Sequence, residues 1–242
     1  HSLQARPSML RDLRGADLVV AVGAELEVGW LPVAIQQAAN PRILPGRQGY
    51  FEAAAQVSLL DPGQPADRGQ GDVHPMGNPH VYMDPLRMGR IALALADRLT
   101  LLDPEHGADY AGRAEAFHAA ARERVAQWRE AAADAPGAVA YHRDVDYLLD
   151  RLDVPVLGYV ERVPGVPPSG AHVQDLVSRL EGQPGVVLRA TFQPAQAAER
   201  IAGRLGWEVV ALPLEPPLDA DGEGYLDHLG RWVEALASAE GR

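Results

Sequence analysis

The sequence predicts an α/β protein: two lobes of parallel β-sheet wrapped by helices and joined by one long backbone α-helix. Three observations predict it. Short apolar runs alternate with segments of helical period, the pattern of parallel strands buried on both faces. A helical stretch over residues 105–133 lies between two such regions; at 1.5 Å per residue it reaches about 40 Å, more than a small domain needs. The 242 residues are 47% hydrophobic and 23% charged, enough apolar material for two modest lobes.

The first strand is read from Leu18-Val19-Val20-Ala21-Val22, which ends at Gly23. Ser8, ahead of Met9-Leu10-Arg11-Asp12-Leu13, supplies a helix start just upstream. Residues 26–39 read as a helix carrying Trp30, Val33 and Ile35, closed by Asn40-Pro41. Residues 62–79, dense in Pro, Gly, Asp and Gln, have no apolar period and read as an exposed loop. Helical pattern covers 87–101, stops at Asp103-Pro104, and resumes as the long helix. Beyond Pro136-Gly137, strands are expected at 138–141, 155–159, 186–189 and 208–212, each followed by a helix or loop. The expected domains are therefore 1–104 (an α/β lobe), 105–135 (the linking helix) and 136–242 (a second α/β lobe).

The charge balance excludes some functions. The chain carries 33 acidic and 22 basic residues, a net charge of -11, and every basic residue is arginine. Nucleic acid, which needs a basic face, is excluded as a partner. There are no cysteines, so a disulfide framework and a thiolate metal site are both impossible, and any metal must be held by nitrogen and oxygen. No apolar run approaches the roughly 20 residues that span a bilayer, and no charged-then-apolar signal segment opens the chain.

In open α/β sheets, ligands gather at the carboxyl ends of strands. His142 follows the expected strand 138–141, Glu215 lies beyond the last strand in Leu212-Pro213-Leu214-Glu215-Pro216-Pro217, and His80 stands at the end of the Gly/Pro loop. No local spacing such as H-E-x-x-H joins these residues, and a single histidine is more often surface or hydrogen-bonded than ligating. Of the others, His74 in the loop is an accessory capture residue or, more simply, exposed; His106 and His118 on the long helix read as solvated; His172 reads as surface; His228, near Trp232, reads as packed.

Taken together, four ordered segments resemble the zinc and manganese solute-binding proteins of ABC importers, in their zinc-type form (cluster A-I). They are His1-Ser2-Leu3-Gln4 with Arg6-Pro7-Ser8 and Leu13 to Val20; Gly77-Asn78-Pro79-His80-Val81-Tyr82-Met83-Asp84-Pro85; Tyr141-His142-Arg143-Asp144 through Tyr147; and Gly158 to Ser169. The resemblance implies a non-enzymatic protein with two lobes, a long joining helix and a rigid hinge. It implies a metal ion carried as cargo in the cleft and passed to a membrane ABC permease, with a periplasmic metallochaperone as a further partner. It implies a periplasmic or extracytoplasmic location, with a signal peptide and an opening strand-helix-strand unit preceding His1.

The same resemblance makes His1, His80 and His142 metal ligands. Three imidazoles favour zinc over manganese, whose sites lean on oxygen. The fourth position is left to Glu215 or to water, because the chain departs from the family at Leu188-Arg189-Ala190-Thr191-Phe192-Gln193, where some members carry glutamate, and at Pro213, where others carry aspartate. A three-histidine zinc site with an open position also describes a hydrolase, but no general base adjoins a ligand and there is no G-x-S-x-G elbow or phosphate-cradling loop.

Overall fold

The computed structural model describes residues 5–63 and 74–239. It is α/β, with parallel strands flanked by helices and one long helix, and its contacts divide the chain into two compact units.

The first unit comprises His1–Ala66, His74–Val81 and Leu86–Ala120. It holds α1 (Pro7–Gly15), β1 (Val19–Ala21), α2 (Leu31–Ala38), β2 (Tyr50–Glu52) and all but the first residue of α3 (Pro85–Leu102). β1 and β2 pair in parallel, Val19 with Tyr50 and Ala21 with Glu52. Val19, Ala21, Leu31, Ile35 and Ile43 form the core between this sheet and α2. Asn40 ties the end of α1 down by donating from Nδ2 to the carbonyls of Leu13 and Ala16, at 2.9 and 2.8 Å.

Two local departures from the sequence pattern have physical causes. α1 begins at Pro7 rather than after Ser8, because proline suits the first turn, where its missing N–H would have no partner. The helix expected over 26–39 exists only as Leu31–Ala38. Gly23, Ala24 and Glu25 take positive φ just before the expected span (83°, 49° and 66°), and residues 26–30 run as tight turns, the Leu26, Val28 and Trp30 amides donating to the Gly23, Glu25 and Glu27 carbonyls at 3.0, 3.4 and 3.1 Å. The Glu27 carboxylate instead accepts from the Val22 and Gly23 amides at 2.7 and 3.0 Å, closing a tight loop at the carboxyl end of β1.

The long helix α4 (Gly107–Ala131, 25 residues) follows a 3-10 turn at Pro104–His106. It contributes to both units, which divide between Ala120 and Ala121. In its second half Ala121, Val125 and Trp128, with Ala132 just beyond, are buried, a stripe at helical spacing.

Among the described residues, the second unit comprises 82–85 and 121–239. Its strands β3 (Ala138–Ala140), β4 (Val156–Tyr159), β5 (Val186–Ala190) and β6 (Glu208–Leu212) make one parallel sheet in the order β4-β3-β5-β6. The helices α5 (Asp146–Leu152), α6 (Gly170–Leu180) and α7 (Ala195–Leu205) make the crossovers, and α8 (Gly222–Ser238) closes the chain. α6 and α7 pack Val173, Leu176, Val177, Ala198 and Ile201 with Val139 and Val187 of the sheet. The order reverses direction between β3 and β5, so the carboxyl ends of these neighbours form the topological switch point, where ligands bind in such sheets.

Candidate metal centre

His80 is built by its immediate neighbours. The Asn78 amide donates to the carbonyl of Leu60 at 2.9 Å. Gly77 stands at φ 124°, where a Cβ would meet the Leu59 side chain at 2.7 Å and the Leu60 carbonyl at 2.9 Å, so only glycine fits. Asn78 then turns its side-chain oxygen onto His80: the backbone N–H donates to Oδ1 at 3.0 Å and ring Nδ1 lies 2.7 Å from the same atom. An oxygen that accepts from an amide must also accept from the ring, which puts the proton on Nδ1 and the lone pair on Nε2. The ring is held in this state while only 4% exposed.

His142 reaches an equivalent state by a different route. β3 and β4 pair in parallel with Ala140 opposite Tyr159. The ladder continues past the strand ends, Val160 N–H to the Ala140 carbonyl at 2.9 Å and Glu161 N–H to that of Tyr141 at 3.0 Å. The same 19-residue offset sets His142 beside Glu161, and ring Nδ1 lies 2.9 Å from Glu161 Oε2. The two side chains are 11% and 15% exposed. The carboxylate, which accepts only, requires a proton on Nδ1, and in the neutral ring that leaves the lone pair on Nε2. Gly165 N–H donates to the same oxygen at 2.9 Å, closing the following loop onto it.

Around His142 lies a polar cluster that crosses the switch point. Asp144, 2% exposed, accepts at Oδ2 from Gln193 Nε2 at 2.7 Å, while Gln193 Oε1 accepts from the Ala190 amide at 2.7 Å. Burial pushes the Asp144 carboxyl above its ordinary range, opposed by the nearby His142 and by the bonds it accepts. The Tyr82 hydroxyl is pushed up as well, first by burial and then by the charges of Glu215 and Asp144. Glu215, exposed on the loop between β6 and α8, thus acts on the same neighbourhood as Asp144.

The segment after His80 is clamped firmly. Asp84, fully buried, takes two bonds from the Arg151 guanidinium at 3.1 and 2.6 Å, and the Tyr225 hydroxyl donates to the Tyr82 carbonyl at 2.7 Å.

Of the expected ligands, His1 lies outside the described residues. His80 belongs to the first unit, and His142 and Glu215 to the second. Among the described residues no group of three His, Asp or Glu side chains is placed to hold a metal ion. His74 is half-buried. His106 is exposed and bonded to Asp103 at 2.9 Å, and His228 is buried against the Leu214 carbonyl. Two histidines differ from their sequence reading: His118 packs its ring where a Gly89 Cβ would stand, and His172 Nε2 bonds the Tyr159 carbonyl at 2.9 Å.

Sequence reasoning missed Asn78, Glu161, Asp144 and Gln193. Asn78 was readable from its place two residues before His80. Glu161 needed the strand register, and the Asp144–Gln193 contact needed the order of strands.

No curated protein matches this sequence. Among solved structures, the fold is similar to a zinc-bound ZnuA deletion mutant (TM-score 0.77, 20% identity, 100% of this chain and 85% of that one). It is similar to FpvC of Pseudomonas aeruginosa in complex with Ni2+ (TM-score 0.77, 21% identity, covering 98% and 83%), a protein also solved with Mn2+. It is similar to the laminin-binding protein Lmb of Streptococcus agalactiae, described as a bifunctional protein with adhesin and metal-transporting activity (TM-score 0.74, 21% identity, covering 99% and 86%). No helix among the described residues is long and apolar enough to cross a membrane. The family model of the periplasmic zinc-uptake complex component A matches residues 1–239, and the chain therefore belongs to the ZnuA family of metal-binding solute-binding proteins, which are not enzymes.

Proposed function

We propose that this protein captures zinc outside the cytoplasm and delivers it to an ABC permease, with His1, His80, His142 and Glu215 as ligands. The observation that carries the reading is the matched state of two imidazoles. His80 and His142 each place Nδ1 against an acceptor oxygen, so that the neutral ring carries its lone pair on Nε2, the form in which histidine binds a metal. Neutral imidazole suits zinc, and the Irving–Williams order sets zinc above manganese for such donors. FpvC has been solved with Ni2+ and Mn2+, so a manganese-binding role is the second reading; the carboxylates Glu215 and Asp144 near Tyr82 favour it.

Metal analysis of the purified protein, followed by titration calorimetry of the metal-free chain with zinc and manganese, tests the choice. One zinc per chain, bound at least tenfold tighter than manganese, is expected. Tighter manganese binding establishes the second reading, and binding of neither ion refutes both. Delivery is tested by co-purification with a permease encoded in the same genome, in zinc-loaded and zinc-free states.

A further inference from the structure

We propose that Glu161 is a positioning residue that fixes the ring orientation and the proton of His142; the inference rests on the reading that His142 binds the metal. An imidazole beside one acceptor has two ways to satisfy it, by Nδ1–H or, after a ring flip, by Nε2–H. Glu161 Oε2 stands 2.9 Å from Nδ1.

Glu161 is held from two directions. Its backbone N–H is fixed to the Tyr141 carbonyl at 3.0 Å, one residue before the histidine. Its Oε2 also accepts from Gly165 N–H at 2.9 Å, which keeps the carboxylate from swinging toward solvent. The carboxylate also makes the imidazole a stronger donor, as acidic partners of metal-binding histidines do. His80 relies on a neutral amide for the same bond, so the two histidines are not equivalent: the charged partner acts on His142.

The test begins without metal. In protein labelled with 15N at histidine, at a pH where the nitrogen shifts themselves show the ring neutral, those shifts also show which atom carries the proton. Wild type and Glu161→Gln are expected to carry it on Nδ1, since both retain an acceptor, and Glu161→Ala to carry a substantial share on Nε2. In zinc titrations Glu161→Ala should weaken binding by about 10- to 100-fold, and Glu161→Gln by less. A Glu161→Ala ring that keeps its proton on Nδ1 overturns the proposal. So does a zinc Kd unchanged in Glu161→Ala while His142→Ala loses zinc. Zinc binding unaffected by His142→Ala removes the ligand reading instead, and the metal-free proton comparison then decides the coupling of Glu161 to the ring by itself.

Discussion

Asp84→Asn should be among the most destabilising single changes in the second unit. The Asp84 side chain is fully buried and takes two hydrogen bonds from Arg151, whose own side chain is 23% exposed. Asparagine keeps the shape and removes the charge, leaving the guanidinium beside a neutral amide. Breaking a buried pair this way costs about 3–5 kcal/mol. Because Arg151 retains some water, the lower figure applies, about 3 kcal/mol. For a chain of this length that lowers the melting midpoint by about 6–12 °C. An internal control exists in Arg42–Asp17, whose side chains are 58% and 75% exposed; Asp17→Asn should cost well under 1 kcal/mol. Urea unfolding of metal-free protein followed by tryptophan fluorescence suits the measurement, since Trp128, Trp207 and Trp232 lie in the second unit and only Trp30 in the first. Equal shifts for Asp84→Asn and Asp17→Asn would refute the reasoning and leave the pair without energetic weight.

Asp144→Asn should raise stability at neutral pH. Burial lifts the Asp144 carboxyl above its ordinary 3.8, so the folded state favours its proton; that contribution is full below pH 3.8 and is lost as pH rises through the folded value. Thermal melts of metal-free protein should show the variant ahead at pH 7 and level with wild type near pH 4; a constant difference would contradict the sign. Zinc at a hundred times its Kd should stabilise the fold by about 2.7 kcal/mol, reversibly with chelator, and a scan without that shift would count against one-site binding. His142→Ala should weaken zinc at least tenfold, about 1.4 kcal/mol, while His74→Ala stays near wild type in the same titration; equal losses would reverse that ranking. Glu215→Gln, which keeps shape and removes charge, should weaken zinc by about tenfold if its oxygen binds directly, and an unchanged Kd leaves the fourth position to water.

The parallel strands of the second unit were legible because each is a short apolar run closed by a turn, and the order of elements follows from that alternation. The second strand of the first unit was not. Tyr50-Phe51-Glu52 is three residues long, and Phe51 alone of them is buried, too little to show a period. The overlong reading of α2 failed for another reason: residues 26–30 keep helical composition, but they run as tight turns, anchored by the Glu27 carboxylate on the Val22 and Gly23 amides. His80 and His142 were legible through flanking motifs. Their partners divide by distance in the sequence: Asn78 is two residues from His80, whereas Glu161 meets His142 only through the register of β3 against β4.

Local chemistry and stability pull in opposite directions around the switch point, and the conflict is informative. A stable α/β core gains from apolar strand ends, yet this sheet places Asp144, Asp146 and Gln193 among its buried residues just past β3 and β5. Burial disfavours the ionised form of Asp144, a cost that an asparagine would avoid. Sequences tend to keep such costs where function requires them. In the first unit a buried amide, Asn78, stands beside His80. Each unit thus fixes one imidazole by its own hydrogen bonds before any ion arrives. If His80 and His142 are the ligands proposed, an ion meets rings whose Nδ1 atoms are already engaged, by an amide at His80 and by a carboxylate at His142.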